Sequence, residues 1–229
     1  MSCIAKKLEI CLSVCLSVSL YIYLSIYLFI YLFIYLSGFR ANYSTTSAYL
    51  VLKETVLNYT HCGSDVYACF VDISKAFDSV DHSILMQKLV EYRVPELFVK
   101  LIKELYSNQN IKVKYMSKFS EEWHITNGVR QGGVLSGLFF AIYIDSLITN
   151  ISKMKFGCKL GLFMSNIITY ADDIVLLAPS RKGLQNIINE LYNGGIELGL
   201  RINLNKSKCL VFNGNQKSLY KTNISPFFC

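Results

Sequence analysis

The spacing of apolar positions after residue 40 predicts alternating helices and strands. Polar Ser44 and Thr45 lead into Ala48, Leu50, Val51, Leu52 and Val56, which suits a helix of about 12 residues. The apolar run 67–73 predicts a strand. Asp81 or Ser83 is placed to cap a helix with Leu85, Leu89 and Tyr92 on its apolar face, and Pro95 sits at a first helical position ahead of Leu97, Phe98, Leu101, Ile102 and Leu105. Residues 111–116 alternate apolar and basic and pair with 123–126 as a hairpin; a Gly-rich corner at 128–133 then opens a helix through Ile148. Short runs at 167–169 and 174–177 flank Tyr170-Ala171-Asp172-Asp173 and place it at a hairpin tip. A last helix from Lys182, with Leu184, Ile187, Ile188 and Leu191 inward, precedes a strand near 208–212. This order predicts an α+β fold, an antiparallel sheet backed by helices on one face.

Residues 1–37 have a different texture and form a separate apolar, low-complexity leader. Of residues 10–37, 23 of 28 are apolar, and no charge falls between Glu9 and Arg40. From Cys11 the chain repeats with period four: CLSV twice, YLSI, then YLFI twice. A TGTC tetranucleotide read in frame yields Cys-Leu-Ser-Val, TATC yields Tyr-Leu-Ser-Ile and TATT yields Tyr-Leu-Phe-Ile. The leader therefore reads as a translated simple DNA repeat. Its uncharged run still exceeds the roughly 20 residues that a bilayer helix needs, so residues 10–39 are a candidate transmembrane insertion and would direct the chain to a membrane if they insert.

Composition adds little once the leader is set aside. The 229 residues are 52% hydrophobic with net charge +7, and +5 remains after Arg40 (20 Lys and Arg against 15 Asp and Glu), a modest attraction for nucleic acid. Eight cysteines without a C-x-x-C pair exclude a zinc ribbon and a thioredoxin site, and no cysteine carries assignable chemistry. His61, His82 and His124 lack metal-ligand spacing.

Three carboxylates remain. Asp72 ends an apolar strand, and Asp172 and Asp173 sit at a hairpin tip about a hundred residues later. Gathered on one sheet edge they would repel unless divalent cations lay among them, and hard oxygen ligands with room for water and phosphate suit Mg²⁺. That donor set suits phosphoryl transfer by two metal ions. Turn aspartates in general are simply hydrated.

The ordered blocks 70–78 (FVDISKAFD), 128–136 (GVRQGGVLS), 170–173 (YADD) and 199–203 (GLRIN) with Lys206 and Lys208 resemble palm motifs A to D of reverse transcriptases of non-LTR (LINE-type) retrotransposons. Gly38-Phe39-Arg40 with Ser44, Thr45 and Ala48 resembles the fingers block upstream. The resemblance implies a polymerase palm with partial fingers over residues 38–229. It implies that Asp72, Asp172, Asp173 and the carbonyl of Ile73 bind two Mg²⁺ ions, for which Mn²⁺ can substitute. Phe77 would be the gate against a ribose hydroxyl, Arg130, Gln131 and Gly132 would line the nucleotide pocket, and Lys206, or Lys208 in its place, would protonate pyrophosphate. RNA template, DNA primer and dNTPs are the implied partners, and nucleus or cytoplasm the implied location; no protein partner is inferable.

Departures accompany the likeness. Gly133-Val134-Leu135-Ser136-Gly137 replaces the usual Cys-Pro-Leu-Ser-Pro, and Gly194-Gly195 interrupts a helix at about 1 kcal/mol each relative to alanine. The basic fingers segment, thumb, endonuclease and zinc knuckle are not found. The expectation is a truncated copy, inactive on its own as a polymerase. A non-catalytic membrane-anchored remnant and a group II intron maturase are the alternatives. A viral RNA-dependent RNA polymerase fits less well, since glycine is expected there before the paired aspartates.

Overall fold

The computed structural model describes residues 45–107, 109–130, 132–161, 163–212 and 220–222; the leader and Gln131 lie outside them. Five α-helices occur among the described residues: α1 (Thr45–His61), α2 (His82–Glu91), α3 (Glu96–Ser107), α4 (Ser136–Ser152) and α5 (Arg181–Glu197). The central sheet comprises β1 (Val66–Val71), β8 (Ile167–Tyr170), β9 (Asp173–Ala178), β10 (Lys208–Phe212) and β11 (Tyr220–Thr222), in the order β11-β10-β1-β9-β8 and antiparallel throughout. Small hairpins flank it: β2 (Asn110–Ile111) with β5 (Trp123–His124), β3 (Lys114–Tyr115) with β4 (Lys118–Phe119), and β6 (Lys159–Leu160) with β7 (Phe163–Met164).

Alternation along β1 and β9 feeds two cores. Cys69, Val71, Ile174, Leu176 and Ala178 join the large core formed with α2 to α5. Val66, Ala68 and Leu177 face the other way, onto Leu52, Val56 and Tyr59 of α1. Helices therefore cover both faces, which corrects the expectation of one; β1 is buried on both sides and has no polar face to show. Helix α4 runs through the interior with ten buried residues, and its Tyr143 hydroxyl donates to Leu198 O at 2.6 Å while accepting from Asp81 N at 3.2 Å. Apolar residues all round, not a stripe, are what such a central helix requires.

Local signals set the helix starts. Asp81 caps α2 by accepting from Ser83 N (2.7 Å) and Ile84 N (3.1 Å), and Ser180 caps α5 by accepting from Gly183 N (3.1 Å). Helix α1 runs 17 residues, longer than its spacing predicts, and Pro95 lies just before α3 rather than within it. Leu97 and Leu101 point outward, 58% and 38% exposed, while Ile102 and Tyr106 carry the contact with the core. The predicted hairpin of 111–116 with 123–126 is split: Ile111 pairs with Trp123, but Tyr115 turns back through Met116 (φ +52°) to pair with Lys118. Both glycines 194 and 195 are helical; a Cβ on Gly194 would come 2.5 Å from Leu147 Cδ1, so α5 approaches α4 closely there.

Candidate active site

Asp72 immediately follows β1 and its backbone is held at both ends. Its carbonyl accepts from Asn203 N at 2.8 Å and its N–H donates to the hydroxyl of buried Ser207 at 3.1 Å. Ile73 bridges Ile202, and Ser74 N donates to Arg201 O at 2.8 Å. Segment 201–207 is thus laced onto 72–74. Because carbonyls alternate along an extended chain, Ile73 C=O faces the opposite flank, where β9 begins.

That flank carries the hairpin tip. Tyr170 pairs with Asp173, leaving Ala171 and Asp172 as a two-residue turn. Ala171 adopts φ +54°, a left-handed conformation that costs a non-glycine residue about 1 kcal/mol or more. Val71 pairs with Ile174, so the tip extends past the end of β1. Asp72, Ile73, Phe77, Asp172, Asn203 and Lys206 are among the residues lining one open cleft of ≈ 450 Å³.

Of the three predicted carboxylates the cleft wall includes two, half-buried Asp72 and Asp172; Asp173 is exposed beside them and does not line it. Among the described residues no group of three or more His, Cys, Asp or Glu is close enough to hold a metal ion. The Asp72 and Asp172 pair in an open polar cleft nonetheless fits Mg²⁺, which is commonly held through one or two carboxylates while keeping its waters. Lys206 lines the cleft, whereas Lys208 Nζ donates to Asn205 O at 2.7 Å. Lys206, the lysine that the motif likeness favours, is thus the one of the two in the cleft wall.

Phe77 opens a short 3-10 turn, Phe77–Ser79, and its ring packs on Phe140 with centroids 4.9 Å apart. The turn is clasped to the segment ahead of α4. Val129 N donates to Phe77 O (2.9 Å), Gly128 N donates to Val80 O (2.7 Å), and His82 Nε2 bonds Gly128 O (2.8 Å). Gly128 has φ +95°, and a Cβ there would stand 3.1 Å from the Asp78 backbone, so only glycine allows this approach. Arg130 lines an adjoining cleft of ≈ 590 Å³ that shares Asp78 with the first and contains buried Gln109, whose Nε2 is unpartnered among the described residues. Gly132 is exposed at φ +76° with no atom near its Cβ position, so its freedom is conformational and not steric.

The sequence does not reveal Asn203, Ser207 or His82 as site residues. Each acts through backbone partners 46 to 135 positions away, which no local spacing encodes.

An antiparallel sheet packed with helices, with two carboxylates at one strand edge and hairpin tip, defines the palm of a template-directed polymerase. The chain belongs to the reverse transcriptase (RNA-dependent DNA polymerase) family, whose model matches residues 33–222. It is 30% identical to the Pol polyprotein of the type-2 retrotransposable element R2DM of Drosophila melanogaster, over 76% of this chain and 16% of that protein. With the polymerase of mobile element jockey of Drosophila funebris it shares 26% identity, over 76% of this chain and 19% of the relative. The chain therefore spans less than a fifth of the length of these relatives. The fold is similar to part of apo telomerase from Candida tropicalis truncated from its C-terminal domain, with a TM-score of 0.57 at 14% identity, over 80% of this chain and 40% of the other. Among the described residues, no helix is long and apolar enough to cross a membrane.

Proposed function

We propose that the Asp72 and Asp172 cleft transfers a deoxynucleotide from a dNTP to a primer 3′-hydroxyl on an RNA template. The observation that carries this reading is the convergence of three chain segments, 72–78, Asp172 and Asn203 with Lys206, on one cleft. Bound Mg²⁺, or Mn²⁺ in its place, would activate the primer hydroxyl and take up charge on the leaving pyrophosphate. Asp72 and Asp172 would hold these ions, with the Ile73 carbonyl on the same flank and Asp173 beside Asp172 at the tip.

The hydroxyl gives up its proton to water, its oxygen attacks the α-phosphorus, and the bond to pyrophosphate breaks. Lys206, in the cleft wall, would give the departing oxygen a proton. Phe77, in the cleft wall and backed by Phe140, would set its ring against a sugar 2′-hydroxyl and so favour dNTPs over NTPs. Arg130, in the adjoining cleft, and Gly132 would serve the nucleotide side of the site, as would Gln131, which lies outside the described residues.

Mn²⁺ titration of the full chain, followed by electron paramagnetic resonance, tests the ion site directly. Asp72→Asn and Asp172→Asn are each expected to weaken binding at least tenfold; unchanged affinity in both variants contradicts the reading. Because the chain spans so little of its relatives, extension of a primer on RNA is expected only when it is fused to the remaining polymerase regions of an R2-type relative, and is expected to disappear with Asp172→Asn. Extension that survives this substitution refutes the assignment.

A further inference from the structure

Three residues before Asp72, two buried thiols stand opposite each other. Cys69 of β1 and Cys209 of β10 are direct cross-strand partners, 1% and 4% exposed, and neither is in a disulfide. Facing residues of an antiparallel pair project to the same side with Cα atoms about 4.5 or 5.5 Å apart, inside the range of roughly 4.4–6.8 Å that a disulfide spans. Their thiols are hydrogen-bonded to each other: Cys69 is held well above the ordinary thiol value, chiefly by its bond to Cys209, and the same bond holds Cys209 below it. Each also borders a small cavity against α5, Cys69 one of ≈ 300 Å³ and Cys209 one of ≈ 230 Å³, with Ile188 in the wall of both. Either space admits a small neutral molecule.

We propose that Cys69 and Cys209 form a dithiol site that a hydroperoxide oxidises to a cross-strand disulfide. The Cys209 thiolate attacks one oxygen of hydrogen peroxide, the O–O bond breaks, and Cys209 becomes a sulfenic acid as hydroxide leaves. The Cys69 sulfur then attacks Cys209 Sγ and displaces the sulfenic oxygen as a second hydroxide. With the two thiol protons the balance is two thiols and one peroxide giving one disulfide and two waters. The bond ties the strand that leads into Asp72 to the strand that follows Ser207, the residue holding the Asp72 N–H. This inference is independent of the polymerase reading, because its readout is the bond itself.

The test treats the full chain, as Cys62→Ser, with hydrogen peroxide, blocks residual thiols under denaturing conditions and maps tryptic peptides without reduction. Peptides 54–75 and 209–217 are expected as one linked species about 2 Da below their sum, separable by dithiothreitol. The melting temperature is expected to rise by about 10 °C, since the bond closes a loop of some 140 residues, and Cys69→Ser should show no rise. Recovery of both peptides individually alkylated, or of Cys209 oxidised to a sulfinic acid without the link, overturns the proposal. The peptide map is read on protein that retains both thiols, so misfolding of the serine variant cannot obscure it.

Discussion

Single residues show where motif reading succeeds and where it stops. Asp72 and Asp172 are legible because the blocks around them carry a family likeness, but the two-carboxylate wall is not, since side-chain direction at a hairpin tip depends on the turn. Gly128 is the sharpest case of a residue whose reason lies far away, in the backbone of Asp78. Gly128→Ala is expected to lose about 2 kcal/mol in urea unfolding, from strain at φ +95° and the 3.1 Å approach, with a change in the near-UV signal of the aromatics around Phe77.

Tyr92 supplies a pH dependence. Its hydroxyl donates to Asp145, and burial followed by that bond raises its pKa above the ordinary tyrosine value. A proton held more tightly in the folded state stabilises the fold below the unfolded tyrosine pKa of about 10, and that stability is lost as pH rises beyond it. Buried Tyr143 shifts the same way, first through desolvation. Urea midpoints are expected to fall between about pH 9.5 and 11, and Tyr92→Phe should start about 1 kcal/mol lower at pH 8 yet decline less steeply. Parallel profiles for the two proteins would count against this account.

At the scale of elements, periodicity located every helix among the described residues and the buried faces of α2 and α5, but misjudged the face of α3. The apolar series of α3 is too wide for the surface available, so Ile102 and Tyr106 take the core while Leu97 and Leu101 are left outside. The hairpin between α3 and the Gly128 corner split because two-residue alternation fits either register and exposed strands have no buried face to choose between them. The helical glycines separate on packing alone. Gly195→Ala is expected to raise stability by about 0.5–1 kcal/mol, as its Cβ would meet nothing nearer than 3.9 Å; Gly194→Ala should give no gain or a loss, as its Cβ would strike Leu147. Thermal melts of the two variants side by side decide the matter.

For the molecule as a whole, the α+β class and the antiparallel sheet were readable in the order of elements, while α1 on the second face was not. Nothing in the spacing of α1 tells which side of a sheet it will cover; that follows from β1 being apolar on both faces. The cysteines make the same point, since Cys69 and Cys209 have no motif between them and meet only through strand pairing. If the surface serves RNA, the logarithm of affinity for a single-stranded oligoribonucleotide should fall linearly with the logarithm of salt; affinity indifferent to salt would argue against a phosphate-binding face.

The position of β1 in the sheet also governs the order in which the protein can be made. Val71 finds its partner Ile174 only 103 positions further along (71 to 174), and Phe70 meets Lys208 later still (70 to 208). At about 5–20 residues per second, a ribosome needs roughly 5–20 s to supply the first neighbour of a strand with two apolar faces. Throughout that interval β1 is an open edge, and the nascent chain is at its most exposed to chaperones and to association with its own copies. Translation arrested before β10 should leave a protease-sensitive chain, and arrest after it a protected one.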